Sequence, residues 1–223
     1  MGKYDVHIDM RNRRSSHTLI LEQIDPCSMV LEFGCAAGYM TKFMRDFLNC
    51  KVHILEVDKE SFDYASQFSF GGICCDIETY AWEDRFKHKA YDYVLFADVL
   101  EHLKDPLTVL TRSVDMLKDD GRVIISIPNI CHNDIIIQLF YDHFRYTDWG
   151  LLDNTHIRFW GREDFIEMIN KAGLKVTDIR TVNFSTQGTE QHCKFRVDDE
   201  LMNLLKRREY GEVYQWVFTC EKR

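Results

Sequence analysis

Three carboxylates stand at or near the ends of successive apolar runs: Glu32 in VLEFGCAAGYM (30–40), Glu56 in VHILEVD, and Asp76 in CCDIE. Gly34 and Gly38 follow the first acid and bracket a tight turn. Glycines placed after a strand let a backbone come close to a ligand. The spacing is G-x-x-x-G, with Ala36 where a dinucleotide fingerprint would carry its middle glycine. A carboxylate directly before such a loop suits a cation and disfavours a pyrophosphate. An acid roughly 20 residues further on is the position from which ribose hydroxyls are held. Glu56 fits that position, with Asp58 as the alternative. Asp76 could accept from an exocyclic adenine amine, or it could simply cap a helix.

These residues need a scaffold that brings strand ends to one rim. Short β-rich runs at 29–33, 52–57, 72–75, 91–97 and 122–127 alternate with helix-like stretches at 39–48, 60–67 and 106–117. Such alternation predicts βαβ units around a buried parallel sheet, with ligands beyond the carboxyl ends of the strands. REDFIEMINKAG (162–173) reads as an amphipathic helix closed by Gly173. Residues 174–184 and 212–223 read as strands, separated by a charged helix near 198–208, and this pair is expected to add an antiparallel strand at the sheet edge. Residues 130–155 interrupt the alternation with aromatic and apolar residues. They are expected to form an extra helix or two over the sheet end, or a lid over a substrate.

Composition narrows the function classes. The chain has 223 residues with 28 Lys+Arg against 36 Asp+Glu, a net charge of -8, which argues against general nucleic-acid binding. A length of this order fits one well-filled α/β domain. The eight cysteines are scattered without CxxC or zinc-type spacing, which suggests a reducing compartment. The polar start MGKYDVHIDM lacks the apolar core of a signal peptide, and no run is long enough for a membrane span, so a cytoplasmic location is expected. Oligomeric state is not legible.

Taken together, the motifs resemble those of class I S-adenosylmethionine-dependent methyltransferases. VLEFGCAAGYM is similar to that family's first motif, LEVD to its second and CCDIE to its third. YDYVLFADVLEHLKDP (91–106) and LKDDGRVIISIPN (117–129) are similar to the fourth- and fifth-strand motifs. NRRSSHTLILEQI (12–24) and GLLDNTHIRFWGREDF (150–165) further resemble signatures of bacterial methyltransferases found beside or fused to glycosyltransferases. The resemblance implies a Rossmann-like three-layer sandwich, with a seven-stranded, mostly parallel sheet and an antiparallel final strand. It implies S-adenosyl-L-methionine as donor and S-adenosyl-L-homocysteine as product.

On that resemblance Glu32 faces the donor ammonium. Gly34, Ala36, Gly38 and Tyr39 surround the methionine part, Glu56 and Val57 the ribose, and Asp76 and Ile77 the adenine. Asp98 also approaches the ammonium, and Ser16 and His17 the donor carboxylate. Many relatives carry glycine at Ala36, and alanine there is expected to cost little if its φ stays negative. The acceptor is expected to be a sugar hydroxyl of a glycan-related small molecule, with a quinone or other small-molecule O- or N-acceptor as the alternative.

A hydroxyl acceptor calls for a base. His156 in THIRFW is the first candidate and His102 in VLEHL the second, although either could serve a structural role. His132, Arg158 and Tyr146 are candidates for substrate contact. Glu101, His102 and Asp105 could converge, but no tight cluster stands out and no metal is expected. A nicotinamide-dependent reductase would share the sheet, yet no tyrosine has a lysine four residues on. A non-catalytic binding module would have no need of three ligand-directed acids.

Overall fold

The computed structural model describes residues 8–87, 90–194 and 196–223; most of the N-terminal stretch read above for a signal peptide lies outside them. The chain opens with a short helix α1 (Ser16–Leu21). Then come β1 (Met29–Phe33), α2 (Tyr39–Leu48), β2 (Lys51–Glu56), α3 (Lys59–Ala65), β3 (Gly71–Cys74), α4 (Glu83–Phe86), β4 (Tyr91–Ala97) and α5 (Pro106–Val114). The second half holds β5 (Leu117–Pro128), α6 (Asn133–Phe140), α7 (Arg162–Lys171), β6 (Leu174–Asn183), α8 (Asp199–Leu205) and β7 (Val213–Lys222). Single 3₁₀ turns at Ile77–Thr79 and Leu100–His102 follow β3 and β4.

The seven strands form one sheet in the order β3-β2-β1-β4-β5-β7-β6. β1 to β5 are parallel, and β7 runs antiparallel to both β5 and β6. The order reverses beside β1, so the carboxyl ends of β1 and β4 open the crevice where ligands of such sheets bind. Helices cover both faces, which is why the central strands read as continuous apolar runs. Phe33, Phe96, Val123, Ile125 and Phe218 are fully buried on one face, and Val30, Ile54, Leu95 and Ile124 on the other.

The strand pair joins the sheet edge as expected, with β7 antiparallel, and the structure sets the order of the two. The final strand β7 is not at the edge; β6 is. The reason is their surfaces. β7 carries the fully buried residues Val217, Phe218 and Cys220, whereas β6 presents Lys175 and Asp178 to solvent and pairs its half-buried Arg180 with Glu22. Charged side chains on an edge strand discourage pairing with another chain.

Residues 130–161 contain α6 followed by irregular turns. Two backbone N–H groups, of Ile157 and Arg158, donate to the Glu101 carbonyl at 3.0 Å each. Gln191 donates to Thr147 at 2.9 Å, and the Leu151 N–H donates to Glu190 at 2.7 Å. The segment is therefore tied to the strand-end rim from two sides. Of its aromatics, Phe144, Tyr146 and Trp149 are exposed. Among the described residues no helix is long and apolar enough to cross a membrane.

Phe218 lies between Ile125 and Ile179 in the sheet register, with its ring centroid 5.2 Å from that of Phe165 on α7. Phe218→Ala should lower the unfolding free energy by about 3–5 kcal/mol through lost burial and a cavity. Urea denaturation checks this.

Candidate active site

Two cavities open at the carboxyl ends of the parallel strands. The first, of about 410 Å³, is walled by Gly34 after β1, Glu56 and Val57 after β2, Asp76 and Ile77 after β3, and Asp98, Val99 and His102 after β4. The second, of about 430 Å³, is walled by Asn12, Arg14, Ser16 and His17 near α1, by Trp149 and Glu190, and by Tyr214 and Gln215 of β7. Asp98 belongs to both walls.

The glycine loop is built for close approach. Gly34 has φ +65°, and a Cβ there would stand 2.7 Å from the Val99 Cγ2. Gly38 has φ +71°, and a Cβ there would stand 2.7 Å from the Ala65 Cβ. Side chains are thus excluded at both positions on conformational and steric grounds. Ala36 departs from its expectation. Its φ is +47°, in the left-handed region, so alanine carries strain there on the order of 1 kcal/mol or more.

Glu32 is buried behind the loop and accepts a 2.6 Å hydrogen bond from the Thr41 hydroxyl. Burial pushes its carboxyl up to about 7, and the charge of nearby Glu56 adds to this while Thr41 opposes it. Glu56 accepts from the backbone N–H groups of Ala36 at 2.8 Å and of Val57 and Asp58 at 2.9 Å each. It thereby locks the first loop to the second strand end. Asp58 itself caps α3, accepting from the Ser61 N–H at 2.8 Å. Asp76 accepts from the Glu78 N–H at 2.8 Å, the capping role weighed above, and also walls the first cavity.

Asp98 is held by three strands. It follows β4 with φ +55°, and its N–H donates to the Ser126 carbonyl and hydroxyl of β5. Its Oδ1 accepts from the Ser126 hydroxyl at 3.0 Å and from the Gln215 amide of β7 at 2.5 Å. Ser126, Gln215 and Thr41 were not singled out in the sequence. Each acts by orienting an acid from another strand or helix, and no local pattern marks such a partner.

Ser16 and His17 lie on the second cavity's wall together with Asp98. The His17 Nε2 is 3.3 Å from the Tyr39 hydroxyl, which links α1 to the start of α2. Burial lowers the His17 pKa, and the charge of Asp98 works against that shift. Burial also raises the Tyr39 phenol, with Asp98 adding to it.

The substrate-contact candidates lie elsewhere. His132 is fully buried; its Nδ1 accepts from the Asp134 N–H at 3.1 Å, and its Nε2 reaches the Phe184 carbonyl at 3.0 Å. One ring nitrogen caps the start of α6 and the other is held by the carbonyl just after β6, so the ring is a structural tie and not a substrate contact. Arg158 donates to the Lys104 carbonyl from an exposed position and walls neither cavity. The exposed Tyr146 ring sits edge-on to Phe144, also outside both walls. His156 is buried and lines neither cavity, whereas His102 lines the first. The two imidazoles nonetheless meet, with centroids 4.9 Å apart, beside the fully buried Glu101. Asp105 does not join them; it caps α5, accepting from the Thr108 N–H at 3.2 Å.

A methyltransferase domain family model matches residues 8–179. The chain is an S-adenosylmethionine-dependent methyltransferase of this family. Among sequence relatives, the ubiquinone biosynthesis O-methyltransferase of Burkholderia thailandensis is 24% identical over 164 residues, covering 71% of this chain and 69% of that protein. Among solved structures, a SAM-dependent methyltransferase from Archaeoglobus fulgidus matches with a TM-score of 0.61 at 16% identity, covering 95% of this chain and 97% of that one. The [4+2]-cyclase SpnF matches with a TM-score of 0.65 at 14% identity, covering 99% of this chain and 85% of that one. The fold alone therefore does not fix the chemistry. The methyltransferase takes S-adenosyl-L-methionine as its donor. The chemistry of the first cavity fits that group: a side-chain-free loop at Gly34, a carboxylate at Glu56, and no cationic cluster of the kind a diphosphate would require among the walls.

The raised Glu32 pKa has a definite sign. A carboxyl raised from its ordinary 4.5 to about 7 contributes stability that is complete below pH 4.5 and lost as pH rises through about 7. The donor-free methyltransferase should therefore lose about 1–2 kcal/mol of stability between pH 6 and pH 8 from this group. Glu32→Gln should flatten that part of the profile, as followed by urea unfolding at each pH.

Proposed function

We propose that the methyltransferase binds its donor in the first cavity and O-methylates a hydroxylated ring, of a sugar or glycan-related small molecule, held in the second. The observation that carries this reading is the shared wall at Asp98, which puts the two cavities on either side of one carboxylate. When bound, S-adenosylmethionine supplies a methyl on a sulfonium, ready for in-line displacement and leaving as a neutral thioether. The protein's work is then mainly alignment, which in well-organised cases lowers a barrier by roughly 7–11 kcal/mol.

On this reading Glu56 keeps its place at the ribose, since its carboxylate retains lone pairs beyond those given to the three N–H groups. Asp76 and Ile77 flank the adenine, and the Gly34 backbone lies against the methionine part. Asp98 at the junction, with Glu32 behind, receives the ammonium. Ser16 and His17 move from the donor carboxylate to the acceptor side, because they wall the second cavity. His17 is kept neutral near physiological pH by burial and is placed to take the acceptor hydroxyl's proton while the oxygen forms its bond to the methyl carbon. His156 is too enclosed for that role.

The second cavity supports a hydroxylated ring. The exposed indole of Trp149 offers an aromatic face, and Asn12, Arg14, Glu190 and Gln215 offer hydrogen-bonding groups around it. A quinone-type phenol is the second reading, favoured by the sequence relatives that methylate in ubiquinone biosynthesis.

Asp98→Ala should weaken S-adenosylmethionine binding by at least 10-fold in isothermal titration, while His17→Ala should leave that affinity within about threefold and cut turnover by about 10²–10⁴-fold. Turnover is read with radiolabelled donor against nucleotide sugars, glycan fragments and hydroxylated quinones. Methylation of the quinones alone would replace the sugar reading; no methylation of any hydroxyl compound would end the O-methylation assignment.

A further inference from the structure

Glu101 poses a problem that the donor and acceptor cavities do not solve. Its carboxyl is fully buried, and neither oxygen has a hydrogen-bond partner. A buried polar group left unpaired is destabilising, and more so if charged. Native proteins pair such groups or give them a task. The surroundings make the charged form harder still, since burial and the negative charge of Asp98 both push this carboxyl well above its usual range. His156 does not relieve it, because its Nε2 stands 4.0 Å from the Glu101 Oε1, beyond hydrogen-bond reach.

The neighbouring donors supply an answer. One ligand atom from each of Glu101, His102 and His156 lies within 4.8 Å of the others. The Nδ1 of His102 lies 3.2 Å from the Thr155 carbonyl, which requires it to carry the proton and leaves Nε2 with a free lone pair. A backbone carbonyl holding the far nitrogen of an imidazole is the usual arrangement behind a metal-bound histidine. The Nδ1 of His156 is buried without a hydrogen bond. The two chain segments are clamped in register by the Ile157 and Arg158 N–H groups on the Glu101 carbonyl, so the donor set is preorganised by backbone rather than by side-chain contact.

We infer that Glu101, His102 and His156 form a binding site for one first-row divalent cation at the rim of the donor cavity. Two imidazoles and one carboxylate are a complete protein ligand set for an ion that keeps further positions open to water or to a substrate oxygen. His102 lines the donor cavity, and Asp98 stands close enough to influence both Glu101 and His156, so the ion would sit near the carboxylate that the two cavities share. The inference does not depend on which acceptor is methylated, and its test needs no turnover.

Manganese is the probe, because the eight free cysteines offer competing thiols to zinc. The full chain, stripped with chelator and desalted, is titrated with MnCl₂, and free Mn²⁺ is counted by electron paramagnetic resonance. One ion should bind per chain, and the thermal midpoint should rise with added Mn²⁺. His102→Ala, at an exposed position, and Glu101→Gln should each weaken binding by at least 10-fold and abolish the thermal shift. Absence of stoichiometric binding to the wild type overturns the inference. So does binding that both variants retain unchanged. Should Glu101→Gln fail to fold, His102→Ala alone decides between these outcomes.

Discussion

The site depends on the pinning of Asp98. One carboxylate at the end of β4 is fixed by a serine on β5 and a glutamine on β7, with its own backbone in the left-handed region. This holds an anionic group at the seam between two cavities and determines their mutual direction. Alignment is a large contribution that a protein can make to displacement at an already activated carbon. A seam fixed by three strands of a buried sheet is a stiffer reference than any loop would be. Glu56 performs the same service on the other side, tying the glycine loop to the end of β2 through the Ala36 N–H. The two acids together convert a sheet edge into a rigid frame.

The legible part of this arrangement was the part written locally. Glu32, Gly34, Glu56 and Asp76 each end or follow a strand, and strand ends are visible as apolar runs closed by polar residues. Their convergence follows from parallel topology, so sequence spacing alone brings them to one rim. The strand-like runs were visible in the same way, whereas their assembly into one seven-stranded sheet was implied by the family resemblance. The position of β7 inside β6 was less legible, because both segments look like strands and their order depends on which one carries charge on its outward groups.

The misplaced residues share a different cause. His132, Arg158 and Tyr146 belong to a stretch without period, where neither helix nor strand geometry dictates where a side chain points. His132 reads as chemistry but spends both nitrogens on caps and carbonyls. Ala36 shows a subtler limit: its residue type suggested an unstrained backbone, and only the loop as a whole imposes a positive φ. Glu101 was noticed beside Asp105, its near neighbour in sequence, whereas its spatial partner His156 arrives from a distant segment through backbone clamping that leaves no mark in composition.

β7 enters the sheet antiparallel, so its beginning, not its end, reaches the rim, and Tyr214 and Gln215 close the second cavity. The first cavity is walled only by residues between Gly34 and Lys104, whereas the second joins residues 12–17 to Tyr214 and Gln215 at the start of β7. Loss of β7 would therefore strip the second cavity of a wall and Asp98 of its glutamine anchor while every lining residue of the first stayed in the chain.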